Sequence, residues 1–181
     1  MTRKDILWKL AYLAIAGGMF MIDQSTKAWA ARRLRFSGDV SVIPNFLNFA
    51  YAQNTGVAFS MFDQHGDPGR WGLSIVAIVA GALVLYFFWR TPRSDDRILG
   101  SLALLLAGIA GNVADRLRLG FVIDFIDVQF GSWHYPTFNV ADAAICVGAA
   151  LLLLDVFLSK RKTSHAKATA IQNPKSEIQN T

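Results

Sequence analysis

The stretch FNVADAAICVGAALLLLDVFL, residues 138–158, decides the fold. Apart from Asp142 and Asp155 it carries no charge, and its length suits a bilayer crossing, which takes about 20 predominantly apolar residues. It reads as a membrane helix with an aspartate near its entrance. Working outward, three more apolar runs stand in the chain: Ile6 to Ile22, Trp71 to Trp89 and Ile98 to Ala114. The second has a tryptophan at each end, as interfacial belts do. The first and third are short, and reach spanning length if Asp23 to Lys27 and Asp115–Arg116 continue the helix. Lys9 interrupts the first run, and its long stem lets the ammonium snorkel to the interface.

Composition agrees. The 181 residues are 53% hydrophobic and 17% charged, too apolar for an ordinary soluble domain. The net charge of +5 could suggest nucleic acid, but the charges flank apolar segments, as membrane anchors do, so no nucleic-acid partner is expected. The one cysteine, Cys146, lies inside an apolar run, reads as a small buried hydrophobe and leaves the redox compartment open. The first apolar run is followed by Asp23-Gln24-Ser25-Thr26-Lys27 rather than a small-x-small cleavage site, so it is expected to stay as a helix.

The expected fold is an α-helical membrane protein with four transmembrane helices, over about 6–28, 71–90, 97–117 and 138–159. A single membrane domain covers 1–162. The connection 36–62 is rich in Val, Phe and Tyr, with turn residues at Pro44, Asn45 and Asn54 to Gly56, and reads as short strands. FVIDFIDVQF, 121–130, reads as a further strand, so a small β-cradle is expected on one membrane face. An outer loop or short helix follows. Its segment Asp63 to Arg70, with Gly66, Pro68 and Gly69, is a candidate lid. Residues 163–181 are polar and aperiodic, and read as a disordered tail.

Lys/Arg counting gives the orientation. Eleven cations lie on the side of the termini, from Arg3, Lys4 and Lys9 through Arg90, Arg93 and Arg97 to the tail, against seven on the other side. Both termini are assigned to the cytoplasm, and the β-cradle to the periplasmic face. Every unusual polar residue then falls on that outer face: Asp23 and Lys27, Gln53 and Asn54, Asn112, Asp115 and Arg116, Asp124, and Asn139 with Asp142. Asn112, Asp115 and Arg116 share a helical face, with Gly108 one turn earlier to permit close approach. Asp23 and Lys27 form an i, i+4 pair, and Asp115 has Arg116 as its neighbouring cation. Asp142 gains from the free amides of a helix N-terminus. Asp124 and Asp142 have no cation within a turn in sequence.

Other hydrolytic chemistry lacks its residues. There is no HExxH and no GxSxG, and the three histidines, His65, His134 and His165, lack ligand spacing. Hence no metal and no cofactor is expected; His134, near Asp127, reads as a loop histidine. Two aspartates brought together cannot both ionise cheaply, so one keeps a proton. Such a pair can activate water and protonate a peptide carbonyl without a metal.

The blocks DQSTK (23–27), NTGVAFS (54–60), GNVADR (111–116), GFVIDFID (120–127) and FNVADAAI (138–145) resemble, in order, those of bacterial lipoprotein signal peptidases (signal peptidase II). The resemblance covers about residues 6–160. It implies an inner-membrane aspartyl endopeptidase that removes the signal peptide of diacylglyceryl-modified prolipoproteins, cutting before the lipidated cysteine. By position it implies Asp124 and Asp142 as the catalytic pair, Asn54, Asn112, Arg116 and Asn139 as substrate-binding, and Asp23, Lys27 and Asp115 as supporting. It further implies inhibition by globomycin-type cyclic peptides. Membrane lipids are expected partners, and a monomer is expected. The competing classes are a small ion-coupled carrier, whose helix centres should hold polar residues or internal repeats, and a structural membrane protein. The helix centres here contain no polar residue.

Overall fold

The computed structural model describes residues 2–56 and 68–172. Four helices and four strands follow in the order α1 (Arg3–Ser37), β1 (Val40–Ile43), β2 (Leu47–Asn54), α2 (Pro68–Arg90), α3 (Asp96–Leu119), β3 (Val122–Phe130), β4 (Trp133–His134) and α4 (Val140–Gln172). Each helix contains a span long and apolar enough to cross a membrane.

Helix α3 is the axis of the bundle: half of its apolar window is buried, against 11–17% for the other three. The others therefore turn most of their apolar surface outward, as lipid-facing helices do, and Cys146 of α4, expected to be buried, lies exposed on that surface. Contact between apolar helices gains little from hydrophobicity when lipid is the alternative, so it relies on close packing of small residues. Gly108 shows this. A β-carbon there would collide with the Ala141 carbonyl oxygen and the Ile145 side chain, so glycine at 108 sets how closely α3 and α4 approach. Gly148 repeats the device lower down, where a β-carbon would lie 2.8 Å from the Ser101 carbonyl oxygen.

Helix α1 begins at a capping box, with Thr2 and Asp5 bonded reciprocally. It runs to Ser37, well past the end expected near residue 28. At 1.5 Å per residue such a helix is about 50 Å long, against roughly 30 Å of hydrocarbon. Its last turns are held by the sheet rather than by lipid: Ala30 and Leu34, one turn apart, bury against Ile123 and Phe125. Trp29 sets its edge on Phe49 and Phe125. Membrane length alone could not foresee that packing.

The strands form one antiparallel sheet in the order β1-β2-β3-β4. The expected strands are present, and the turn at Pro44–Asn45 joins the first two. Part of the segment read as loop after residue 130 is β4, paired through Gln129↔His134 and Phe130↔Trp133. Lys9 does not snorkel. It is buried and donates to the Trp89 carbonyl at 2.5 Å, because the C-terminus of α2 offers an unpaired acceptor nearby. The expectation of a disordered tail from 163 fails over 163–172, where α4 continues to Gln172; the segment holds three alanines, the best helix former. Residues 173–181, and 57–67 with most of the candidate lid and short helix, lie outside the described residues.

Candidate active site

One end of the bundle gathers six of the ten buried polar or charged residues among those described. Asp23, Lys27, Asn112, Asp115, Asp124 and Asn139 are each at most 7% exposed. They come from α1, α3, β3 and the start of α4, the elements that meet where the sheet joins the bundle.

The cationic centre is Lys27. Its ammonium donates at 3.0 Å to Asp23 Oδ2, Asp115 Oδ2 and Asn112 Oδ1, using all three N–H bonds. Asp115 thus takes Lys27 as its cation, not the adjacent Arg116, as expected from sequence. The i+1 direction points Arg116 about 100° round the helix, and among the described residues Arg116 makes no ion pair. Gln24 completes the cluster, donating to Asp23 and Asp115 and accepting from Arg118. Nothing in its sequence context marked Gln24.

Each acid of this cluster also grips a backbone amide. Asp23 Oδ1 accepts from Ala141 N–H at 2.8 Å, and Asp115 Oδ2 from Ile123 N–H at 3.2 Å. Ala141 immediately precedes Asp142, and Ile123 immediately precedes Asp124. The ionic cluster therefore fixes both chain segments that carry the two remaining carboxylates.

Those two carboxylates are held by amides. Asp124 accepts from Asn139 Nδ2 at 2.7 Å and from Asn54 Nδ2 at 2.9 Å. Asp142 accepts from Asn112 Nδ2 at 2.7 Å and from the Asn139 backbone N–H at 3.2 Å. Asn139 returns a bond by accepting from Asp142 N–H at 2.9 Å, closing a capping box at the start of α4. A further bond of 3.2 Å from Asn139 Nδ2 to Asn112 Oδ1 completes a path of two amides between the carboxylates.

The amide orientations are dictated by groups that can only donate. Lys27 holds the Asn112 oxygen, Asp142 N–H holds the Asn139 oxygen, and Gly56 N–H holds the Asn54 oxygen at 2.8 Å. Each amide must then turn its NH2 toward a carboxylate. Gly56 is required for its part: its φ is +87°, and a β-carbon would collide with Leu73.

Burial pushes the Asp124 carboxyl above the usual carboxylate range; the Asn54 bond opposes this, and the charge of Asp142 adds to it. Arg116 is half-buried, with its charge within electrostatic reach of Asp142 and Asp124. Arg70, at the start of α2, donates to the carbonyls of Arg116 and Leu117 at 2.8 and 2.7 Å, tying down the end of α3. Nine of the polar residues singled out from sequence thus lie in or against one site, with Gly108 at the α3–α4 contact beneath it; Gln53 does not join them, being exposed on β2 and bonded to the Tyr51 hydroxyl. His134 stands apart on the sheet, bonded to Asp127 at 2.9 Å. Among the described residues no group of three or more His, Cys, Asp or Glu is placed to hold a metal ion.

A family profile described as signal peptidase (SPase) II matches residues 14–158. The lipoprotein signal peptidase of Alteromonas mediterranea is 38% identical over 155 residues, covering 86% of this chain and 85% of its own. That of Pseudomonas putida is 40% identical over 154 residues, covering 84% and 90%. A bacterial membrane enzyme solved by the in meso method superposes with a TM-score of 0.72 at 30% identity, covering 83% of this chain and 89% of its own. With most of its length matched at this level, and with its buried carboxylates on the aligned segments, the chain belongs to the signal peptidase II family.

Proposed function

We propose that Asp124 and Asp142 are the catalytic pair of this enzyme and share one proton between them. The chain is an aspartic-type lipoprotein signal peptidase, a multi-pass bacterial membrane protein that removes signal peptides from prolipoproteins. The carrier and scaffold readings fall with that assignment. The observation that carries the proposal is the contrast in partners: these two carboxylates are held by neutral amides, whereas Asp23 and Asp115 are neutralised by Lys27.

At rest Asp124 keeps the proton, because its burial and the neighbouring Asp142 charge both favour the neutral form. Asp142 is the base, its anion supported by the free amides at the start of α4. It removes a proton from a water held between the two groups, and the water oxygen attacks the scissile carbonyl carbon. Asp124 gives its proton to the carbonyl oxygen as the bond to it becomes single. On collapse of the tetrahedral intermediate the C–N bond breaks, the proton gained by Asp142 passes to the leaving amine, and Asp124 recovers its own. Asn54, Asn112, Arg116 and Asn139 hold the substrate main chain beside the pair, and Asp23, Lys27 and Asp115 support them.

The finer reading places this end of the bundle at the periplasmic face, with both termini cytoplasmic. The substrate is a prolipoprotein whose cysteine already carries diacylglycerol, cut just before that cysteine. The protein acts as a monomer, and globomycin-type cyclic peptides occupy the site. Cleavage of a diacylglyceryl-modified prolipoprotein in liposomes tests the pair. Asp124→Asn and Asp142→Asn, each inserted and folded, should lose cleavage, while Asp127→Asn and Asp155→Asn keep it. Retention of cleavage by either dyad variant would defeat the assignment.

A further inference from the structure

The segment joining the two proposed catalytic residues carries a surface that the chemistry does not use. Five rings run in contact along it. Phe46 meets Phe130 at 5.7 Å between centroids, Phe130 stacks on Trp133 at 5.9 Å, Trp133 meets Tyr135 at 6.2 Å, and Tyr135 meets Phe138 at 5.9 Å. The first four of these residues are between 43% and 57% exposed. Side chains this large, contiguous and open on a protein surface mark an interaction site. Between Phe130 and Phe138 the sequence has no Asp, Glu, Lys or Arg, and His134 is engaged by Asp127.

We propose that the β3–β4 hairpin inserts this aromatic ladder into the headgroup region of the same bilayer the helices span, and so sets the depth of the catalytic pair. The occupant is the lipid surface. Continuity argues for it: the ladder ends at Phe138, and the membrane span of α4 begins two residues later at Val140. The chemistry agrees, because tryptophan and tyrosine combine an apolar ring with a polar N–H or O–H and collect where hydrocarbon meets water. A charged rim, the usual border of a protein–protein patch, is missing from residues 130–138; the two acids of β3, Asp124 and Asp127, are both buried.

The consequence for depth follows from the backbone. The Phe138 carbonyl accepts from Phe125 N–H at 3.0 Å and Ile126 N–H at 2.8 Å, and Phe138 N–H donates to the Ile126 carbonyl at 3.1 Å. Phe138 is thereby locked beside Asp124 and directly before the Asn139 cap that holds Asp142. A ladder anchored at one depth holds both carboxylates at one depth, where a membrane-borne scissile bond emerges. This second part rests on the reading of Asp124 and Asp142 as the catalytic pair; the insertion itself does not.

The test uses the full chain in liposomes. A spin label is placed at 133 by Trp133→Cys in a Cys146→Ala background, with Ile78→Cys in lipid-facing α2 and Ser41→Cys on the exposed edge strand as references. Collision with oxygen should exceed collision with a water-soluble nickel chelate at 133, between the two references. A chelate-dominated signal equal to that at 41 would overturn insertion. So would loss of both collisions with spin–spin broadening that grows with the protein-to-lipid ratio, which would assign the ladder to a second copy. Should the cysteine variant fold poorly, brominated lipids read the native residue: wild type should be quenched more than Trp133→Phe by bromine near the headgroup. Trp133→Ser with Tyr135→Ser should then lose cleavage several-fold in liposomes and little in micelles. Equal loss in both would overturn the depth argument, whereas Asp124→Asn, inactive in both, reports on the dyad alone.

Discussion

Two pairs of carboxylates lie at the same end of this bundle, and they differ in what faces them. Asp23 and Asp115 share an ammonium at 3.0 Å each. Asp124 and Asp142 share two side-chain amides and a helix N-terminus. A buried carboxylate beside a cation stays ionised and serves as an anchor. Burial with only neutral donors beside it pushes the Asp124 carboxyl above the usual range, and the proposed chemistry has it exchange one proton with Asp142, to which the amides link it. On the proposed assignment the chain separates anchoring from chemistry by the choice of partner, not by the choice of acid.

The largest expected effect comes from breaking the second pair. Asp142→Asn removes the proposed base and Asp124→Asn the proposed acid. Since positioned acid–base groups contribute about 10²–10⁴-fold each, either change should lower cleavage of a diacylglyceryl-modified prolipoprotein by roughly 10³-fold or more. A residual rate within tenfold of wild type would show that the two pairs do not differ as argued.

The first pair breaks differently. Lys27→Met leaves two buried carboxylates without their cation, and removing one partner of a buried pair costs about 3–5 kcal/mol. The thermal midpoint in detergent should drop sharply, and cleavage with it, because Asp23 and Asp115 hold the amides of Ala141 and Ile123. Adding Asp23→Asn and Asp115→Asn to Lys27→Met should recover part of the midpoint, since the stranded charges are gone. A triple variant less stable than Lys27→Met would argue against an ionic anchor. A step smaller, Asn139→Ala removes the cap of α4, worth about 0.5–2 kcal/mol, together with the 2.7 Å bond to Asp124. It should lower stability modestly and cleavage substantially, a ratio opposite to that of a purely structural cap.

Much of this site was legible because membrane burial is selective. A polar residue within or beside a 20-residue apolar run is conspicuous, so Asp23, Asn112 and Asp142 announce themselves, and helix spacing puts Asn112 with Asp115. What sequence could not supply was pairing across helices. Asp115 belongs to Lys27, 88 positions away, although Arg116 is its neighbour; Lys9 belongs to a carbonyl of α2. Gln24 lies in a polar pentapeptide where nothing distinguishes it. The C-terminal extension of α1 was missed because it is stabilised by Ile123 and Phe125, residues a membrane-length count ignores. The ladder was invisible for a similar reason: Phe46 and Phe130 meet only because β2 pairs with β3.

The smallest expected effects separate two acids on the same strand by pH alone. Asp124, raised by burial, supports the fold fully below the ordinary carboxylate value and loses that contribution as pH rises through its higher one. Asp124→Asn is neutral at every pH. Its thermal midpoint should therefore fall less than that of wild type as pH rises above the ordinary carboxylate value, whatever constant offset the lost hydrogen bond adds. Asp127 runs the other way: the His134 bond holds its carboxyl below the usual range, with Asn48 adding to it. Its contribution is present above the ordinary carboxylate value and is lost as pH falls through the lower one. Because His134 is half exposed, the pair is worth at most about 1 kcal/mol. Asp127→Asn should leave cleavage near wild type and narrow its small stability deficit only in acid. A deficit that widened in acid, or an Asp124→Asn midpoint that fell in parallel with wild type, would mean that partner chemistry does not set the protonation of these carboxylates.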